Sequence, residues 1–195
     1  MNKDLIIRLE KENEYFEVEK LVRECFYDVY RPKCLEHYVL HCLRNDPDFV
    51  KELDFVLTKD NKIIGQVIFV KSHIYLDDGQ VKDILTIGPI CIDKTYQKKG
   101  YGKYLLDYSI DVATKLGYKA ILIEGDINFY KHSGFEYAKN YHIKYNDFDE
   151  KEDISFFLCK ILKPGYLDNI KGTYITPKGY FVSEEETNIF NQKFI

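Results

Sequence analysis

The chain has 195 residues, a formal net charge of −4, and 45% hydrophobic against 31% charged residues. These values suit one folded domain with a sizeable core, and they exclude a general nucleic-acid binder, which needs a basic face for the phosphate backbone. No run approaches the roughly 20 apolar residues of a membrane helix, and five cysteines behind Met1-Asn-Lys-Asp4, which has no apolar leader, read as reduced thiols of a cytoplasmic protein.

Leu5–Glu10 reads as a first strand. Helical spacing of Phe16, Val22 and Phe26 predicts a helix over Glu14–Tyr27, ended by Tyr30-Arg-Pro32. A second helix is expected from Cys34 to Arg44, with Leu35, Tyr38 or Val39, Cys42 and Leu43 inward. Asp54–Thr58, Ile63–Ile74 and Val81–Ile92 predict three strands in an antiparallel meander, joined by the polar turns Lys59–Lys62 and Asp77–Gly79. Gly88-Pro89 is expected to interrupt the third, through a bulge that frees backbone groups for another partner.

The strongest helix is Tyr101–Leu116, with a stripe of Leu105, Tyr108, Val112 and Leu116 widened by Leu106, Ile110 and Ala113, and Gly117 after it as a stop. Lys119–Glu124 reads as a buried strand, and strand–helix–strand order predicts that it lies parallel to Val81–Ile92. Ile127–His132 is expected as a short helix or turn, and Tyr141–Tyr145 and Ile154–Ile161 as two strands around the acidic loop Asp147–Asp153. The chain after Lys163 reads as an irregular tail with a short helix at Glu184–Asn191. The expected organisation is a domain over residues 1–162 and a tail over 163–195 that packs on it.

Chemistry concentrates at the junction Gln97-Lys-Lys-Gly-Tyr-Gly-Lys103, where an apolar strand gives way to a helix. Gly100 and Gly102 let the backbone approach a bulky anion, the helix start offers unpaired N–H groups and the positive end of its dipole, and Lys98, Lys99 and Lys103 add charge. The stretch therefore suits a phosphorylated ligand. A dinucleotide fingerprint would need glycine where Leu105 stands, and a P-loop would need Ser or Thr where Tyr104 stands.

Gln97-Lys-Lys-Gly-Tyr-Gly102 matches the pattern Gln/Arg-x-x-Gly-x-Gly/Ala, and in that setting it resembles the acetyl-CoA signature of the GNAT family of N-acetyltransferases. Gly88-Pro-Ile-Cys-Ile-Asp93 is similar to the family's bulged strand before the signature, and Gly125–Phe135 to the segment in which a tyrosine stands four residues before Gly-Phe. The resemblance implies an α/β GNAT fold: a mixed, mostly antiparallel sheet of about seven strands flanked by helices and splayed between the fourth and fifth strands. It also implies acetyl transfer from acetyl-CoA to a primary amine, by direct attack in a ternary complex. A non-catalytic acyl-CoA sensor or assembly module is the alternative.

Carried over by position, the resemblance has backbone groups of Ile90, Cys91 and Ile92 pairing with the pantetheine arm. Backbone N–H groups from Gln97 through Lys98, Lys99, Gly100, Tyr101 and Gly102 to Lys103 cradle the pyrophosphate, and an N–H near Ile90 polarises the oxyanion. Tyr130 protonates the departing thiolate, since a phenol of pKa about 10 is neutral when a thiolate of about 8.5 forms. As general base, Glu124 and Asp126 rank first on position, ahead of Asp83 and His73; a solvated polar role is the plainer reading of each. Asn128 stands only two residues before Tyr130, where the family's asparagine stands about two turns before.

Cys34, His37 and His41 share a helix face at i, i+3 and i+7, a spacing that could hold a metal. The favoured reading is a polar flank, and no metal cofactor is expected. Tyr27, Tyr30, Arg31, His37 and Tyr38 border the family's acceptor groove. The expected partners are a small-molecule or peptide amine, with no nucleic acid and no membrane, and a monomer or homodimer.

Overall fold

The computed structural model describes residues 5–146, 148–149 and 152–194. Met1–Asp4, Ile195, and Asp147, Glu150 and Lys151 of the expected acidic loop lie outside them. Nine strands are present among the described residues: β1 (Leu5–Leu9), β2 (Phe55–Lys59), β3 (Lys62–Leu76), β4 (Val81–Ile92), β5 (Ala120–Glu124), β6 (Glu136–Tyr137), β7 (Ile143–Tyr145), β8 (Phe157–Ile161) and β9 (Gly172–Tyr174). The helices are α1 (Tyr15–Phe26), α2 (Glu36–Arg44), α3 (Tyr101–Lys115), α4 (Ile127–Tyr130) and α5 (Glu184–Asn191). The class is the expected mixed α/β one, with mostly antiparallel strand pairs and β4 parallel to β5. The chain divides into two units, one holding the residues through Phe69, Gly88–Ser109 and those from Lys178 on, the other Val70–Ile87 and Ile110–Pro177.

In the first unit β1 pairs antiparallel with β2, from Leu5↔Lys59 to Leu9↔Phe55, and β2 with β3. The β2–β3 hairpin turns through Asp60 and Asn61, both at positive φ (51° and 62°), the two-residue geometry that matches strand twist. β3 is buried on both faces from Ile63 to Val70, which explains its unbroken apolar run. The strand assignment of β4 runs from Val81 to Ile92 and includes Gly88 and Pro89. Gly88 has a packing reason: a Cβ there would lie 2.5 Å from Ile68 Cγ2 and 2.9 Å from Leu43 Cδ1.

The α1 core stripe is Val18, Leu21, Val22 and Cys25, with Glu19 among them, while Phe16 is 51% exposed and its ring stacks on Phe194 at 5.2 Å. In α2 the buried positions are His37, Val39, Leu40, Leu43 and Arg44. Both stripes are rotated from the expected ones because buried charge replaces hydrocarbon. Arg44 Nη2 donates to both Glu10 carboxylate oxygens at 2.6 and 2.7 Å, and its Nη1 to Glu19 Oε1 at 3.2 Å. Glu19 also meets His41 Nδ1 at 3.0 Å and Lys193 Nζ at 2.6 Å. Helix α5, found where expected, starts at a capping box in which Ser183 Oγ accepts from Glu186 N–H and Glu186 accepts from Ser183 N–H, both at 3.1 Å.

In the second unit, β4 and β5 run parallel as the sequence predicts, registered at Leu85↔Ile121 and Thr86↔Leu122. β5 pairs antiparallel with β8 from Ala120↔Ile161 to Glu124↔Phe157, and β8 with β6. Helix α3 closes on Gly117 with the expected C-terminal motif: Tyr118 N–H donates to Ala113 O at 3.1 Å and Gly117 N–H to Thr114 O at 3.0 Å. Its stripe shifts too, with Leu105, Leu106, Ser109, Ile110 and Ala113 buried, whereas Tyr108 and Leu116 are exposed.

The segment expected to be an irregular tail also supplies β9, which pairs antiparallel with β3 (Ile74↔Tyr174) and parallel with β7 (Tyr145↔Tyr174). Three residues carry too little alternation to read. The core here is strongly aromatic: Tyr145, Phe157 and Tyr174 are buried among Ile74, Ile84, Leu122 and Ile170.

Candidate active site

The predicted anion-binding residues lie in the first unit. Ile90 is half-buried, and Cys91 and Ile92 are buried at the end of β4. Two donors already hold the Ile92 carbonyl: Cys25 Sγ at 3.3 Å and Gln97 Nε2 at 3.0 Å. Gln97 thereby ties the loop back to the strand. Asp93, which follows β4, accepts from Thr95 N–H at 2.9 Å, Thr95 Oγ1 at 2.7 Å and Lys62 Nζ at 2.8 Å. Partial desolvation opposes its ionisation, but Lys62 and the Thr95 donors outweigh that and hold its carboxyl at about 2.

Beyond this anchored turn the backbone adopts two left-handed residues, Lys98 at φ 58° and Gly100 at φ 83°. A Cβ built at Gly100 would meet nothing within 4 Å, so the space above that backbone is open. Helix α3 starts at Tyr101, and its first amides have no carbonyl a turn before them to bond. The side chains of Lys98, Lys99 and Lys103 are exposed. Lys99 Nζ donates to Thr95 O at 2.9 Å and Lys103 pairs with Asp107. The lysines are thus partly engaged by the protein itself, and the backbone offers the more directional donors.

Glu124, Asp126 and Tyr130 lie in the second unit. Asp126 is the N-cap of α4, its carboxylate accepting from Asn128 N–H at 2.8 Å. Tyr130 is buried, with its ring edge-on to Phe129 at 4.9 Å and to Phe135 at 5.4 Å. A Cβ at Gly125 would lie 2.3 Å from Tyr130 Cε2, so glycine there makes room for the phenol ring. Glu124 ends β5 at an exposed position, where its carboxylate accepts from Tyr145 Oη at 2.6 Å. Protein atoms crowding the carboxyl raise its pKa, and the Tyr145 hydrogen bond pulls it back down.

Sequence reasoning did not single out Tyr145, Thr176 or Asn146. They lie 21, 52 and 22 residues from Glu124, and nothing in their local sequence distinguishes them from other polar residues near strands.

The Cys34, His37 and His41 face separates into structural contacts. Cys34 Sγ meets His37 Nδ1 at 3.3 Å, and His37 is fully buried against the rings of Phe190 and Phe194 at 5.5 Å each. Burial lowers its pKa to about 4. His41 turns to Glu19. Among the described residues no group of three or more His, Cys, Asp or Glu side chains is arranged to hold a metal ion, and no helix is long and apolar enough to cross a membrane.

A strand leading through a left-handed, glycine-opened loop into a helix N-terminus is an arrangement suited to a phosphorylated ligand. Residues 15–135 match the acetyltransferase (GNAT) family, and the chain belongs to it. Among curated relatives, the uncharacterized N-acetyltransferase YhbS of Escherichia coli K12 is 30% identical over 112 residues, 56% of this chain and 63% of the relative; the match thus spans under two thirds of the relative's length. Two solved structures share the fold. One is the GNAT family N-acetyltransferase YhbS from Escherichia coli in complex with CoA, at TM-score 0.76 and 22% identity, covering 91% of this chain and 92% of that one. The other is a GNAT family acetyltransferase from Brucella melitensis in complex with acetyl-CoA, at TM-score 0.70 and 20% identity, covering 91% and 98%.

Proposed function

We propose that this protein transfers the acetyl group of acetyl-CoA to a primary amine by direct attack in a ternary complex. The observation that carries the reading is the Gln97–Lys103 loop: anchored through Gln97 to Ile92, opened at Gly100, and followed at once by the unpaired amides of α3. That arrangement suits a pyrophosphate, which is bulky, doubly charged and best held by several backbone N–H groups. The CoA and acetyl-CoA complexes of the two structural neighbours support the same choice of donor.

Acetyl-CoA supplies an activated thioester; the rest of the work falls to the protein. Backbone groups of Ile90 and Cys91 pair with the pantetheine arm. The Ile92 carbonyl is already engaged, so Ile92 serves this arm less than its neighbours do. Glu124 accepts the acceptor's ammonium proton, while Asp126, committed to capping α4, holds the turn before Tyr130. Tyr130 returns a proton to the thiolate. Five unpaired cysteines support a reducing compartment, the cytoplasm.

The test pairs an acetyl-CoA binding titration with thiol release on a panel of spermidine, lysine, an aminoglycoside and short peptides. Binding with amine-dependent release supports the reading. Binding without release on any amine would favour a non-catalytic sensor, and no binding would sink both. Within this reading, Gly100→Val should raise the acetyl-CoA Kd about tenfold or more, because a β-branched residue is strained at positive φ and fills the open space. An unchanged Kd would remove the loop from the donor site.

A further inference from the structure

The carboxylate of Glu124 is held by more than its own strand. Tyr145 Oη gives its single proton to Glu124 Oε1 at 2.6 Å. Thr176 Oγ1 then donates to Tyr145 Oη at 3.2 Å. Asn146 Nδ2 donates to Thr176 Oγ1 at 2.9 Å, and Thr176 N–H returns a bond to Asn146 Oδ1 at 2.8 Å. The proton direction of every link is set by its neighbour, so the chain of donors is polarised toward the carboxylate.

Tyr145 is the last residue of β7 and registers with Tyr174 of β9, two residues before Thr176. Its ring is boxed by Phe148, Phe156, Phe157 and Tyr174 at 5.0 to 5.9 Å. Tyr174, buried beside it, has its own partner in Thr86 Oγ1 at 3.0 Å, which also meets Ser72 Oγ at 2.6 Å. Residues 145, 146 and 176 all lie beyond the stretch that matches the family, 15–135.

We propose that Tyr145, Thr176 and Asn146 are positioning residues for acceptor deprotonation, holding Glu124 ionised and in one orientation. This rests on the reading of Glu124 as the base. The balance is simple: the ammonium N–H bond breaks, and its proton goes to Glu124 Oε2, the oxygen Tyr145 does not engage. The nitrogen keeps the electron pair and attacks.

Among the described residues, the titratable groups facing the carboxyl are Tyr145 from β7 and Tyr174 from β9; β8 presents Phe157, and Asp126 follows two residues on. Burial raises Glu124 and Tyr145 lowers it, so removing the phenol leaves burial unopposed and the carboxyl titrates at higher pH. The experiment is a carboxyl-carbon NMR titration of the full chain labelled at glutamate Cδ, with the Glu124 signal assigned by its loss in Glu124→Gln. In Tyr145→Phe the midpoint should move up, to a more alkaline pH than in the wild-type chain. Thr176→Val should move it the same way by less, and Thr176→Ser should restore it. An unmoved midpoint in a folded Tyr145→Phe protein overturns the proposal. If Tyr145→Phe fails to fold, equal midpoints for Thr176→Val and Thr176→Ser overturn it instead. The base reading is judged separately: if Glu124→Gln keeps wild-type thiol release with the amine panel, that reading fails whatever the titration shows.

Discussion

Tyr130→Phe should lower kcat about a hundredfold or more while leaving acetyl-CoA affinity within roughly threefold, the scale of loss when a positioned general acid is removed. The substitution is well suited to the question because phenylalanine keeps what the structure shows the ring doing. It fills the space left by Gly125 and packs edge-on to Phe129 and Phe135. Only the hydroxyl is lost. A ring that served packing alone would lose little activity, whereas a proton donor would lose kcat without losing the substrate. Steady-state rates of thiol release, set beside an equilibrium titration with acetyl-CoA, separate the two. An unchanged kcat would remove Tyr130 from the chemistry and leave it an aromatic core residue.

The largest effect on stability should come from Arg44→Ala. The Arg44 side chain is 2% exposed and lies between Glu10 (0%) and Glu19 (3%), with its guanidinium 4.1 Å over the Tyr15 ring. Removing it takes the guanidinium from the buried Glu19 carboxylate and from the buried acidic pair Glu10 and Asp54, a loss of about 3–5 kcal/mol and so a Tm lower by roughly 10 °C. Chemical denaturation and a thermal melt measure both; a loss under about 1 kcal/mol would mean that the cluster relaxes into solvent.

The same cluster gives stability a pH dependence. Burial and the neighbouring Asp54 raise Glu10 to about 9, against the pull of Arg44, and burial raises Asp54 as well. A carboxyl whose folded pKa exceeds its unfolded one holds its proton in the folded state, so its contribution is fullest below the ordinary carboxylate range and is lost as pH rises through about 9. Glu19 acts in the opposite sense: burial opposes its ionisation, but His41, Lys193 and Arg44 outweigh it, and its contribution fades on acidification. Below pH 8 the buried thiols Cys34, Cys91 and Cys159, whose pKa values the fold also raises, are still largely protonated in the unfolded chain, so the loss there reflects Glu10 and Asp54. Urea midpoints should be lower at pH 8 than at pH 7, and equal midpoints would contradict a proton held by that pair.

Much of the fold was legible because it is written in local signals. The period of α3, the polar turn at Asp60-Asn61 and the strand–helix–strand order around Gln97 each state their structure within a dozen residues. What was illegible depends on partners distant in sequence. Phe16 looked like core but lies outward on Phe194, while Glu19 and Arg44, 25 residues apart, are buried on each other. The close approach of Gly88 to Ile68 and Leu43 likewise depends on residues 20 and 45 positions away.

For the candidate site the division is similar. Gly100 announced its left-handed backbone, and the spacing of Tyr130 to Gly134-Phe135 pointed to the residue. Asp126 and Glu124 looked equivalent as acids, and their hydrogen bonds tell them apart: one caps a helix, the other is held by a tyrosine. Three consecutive residues at β9 could not advertise a strand, nor could Thr176 advertise its contact with Tyr145.

The route of the chain to β9 has a kinetic consequence. The β2–β3 hairpin closes over two residues, at little entropic cost, and can form early. The pairing of β3 with β9 comes later, because Ile74 meets Tyr174 across one hundred residues and closing so large a loop is slow. Tyr145 and Thr176 come into register only when that late strand docks. A refolding chain thus acquires most of its regular structure before it acquires a finished carboxylate, and the maturation of activity trails the maturation of the backbone.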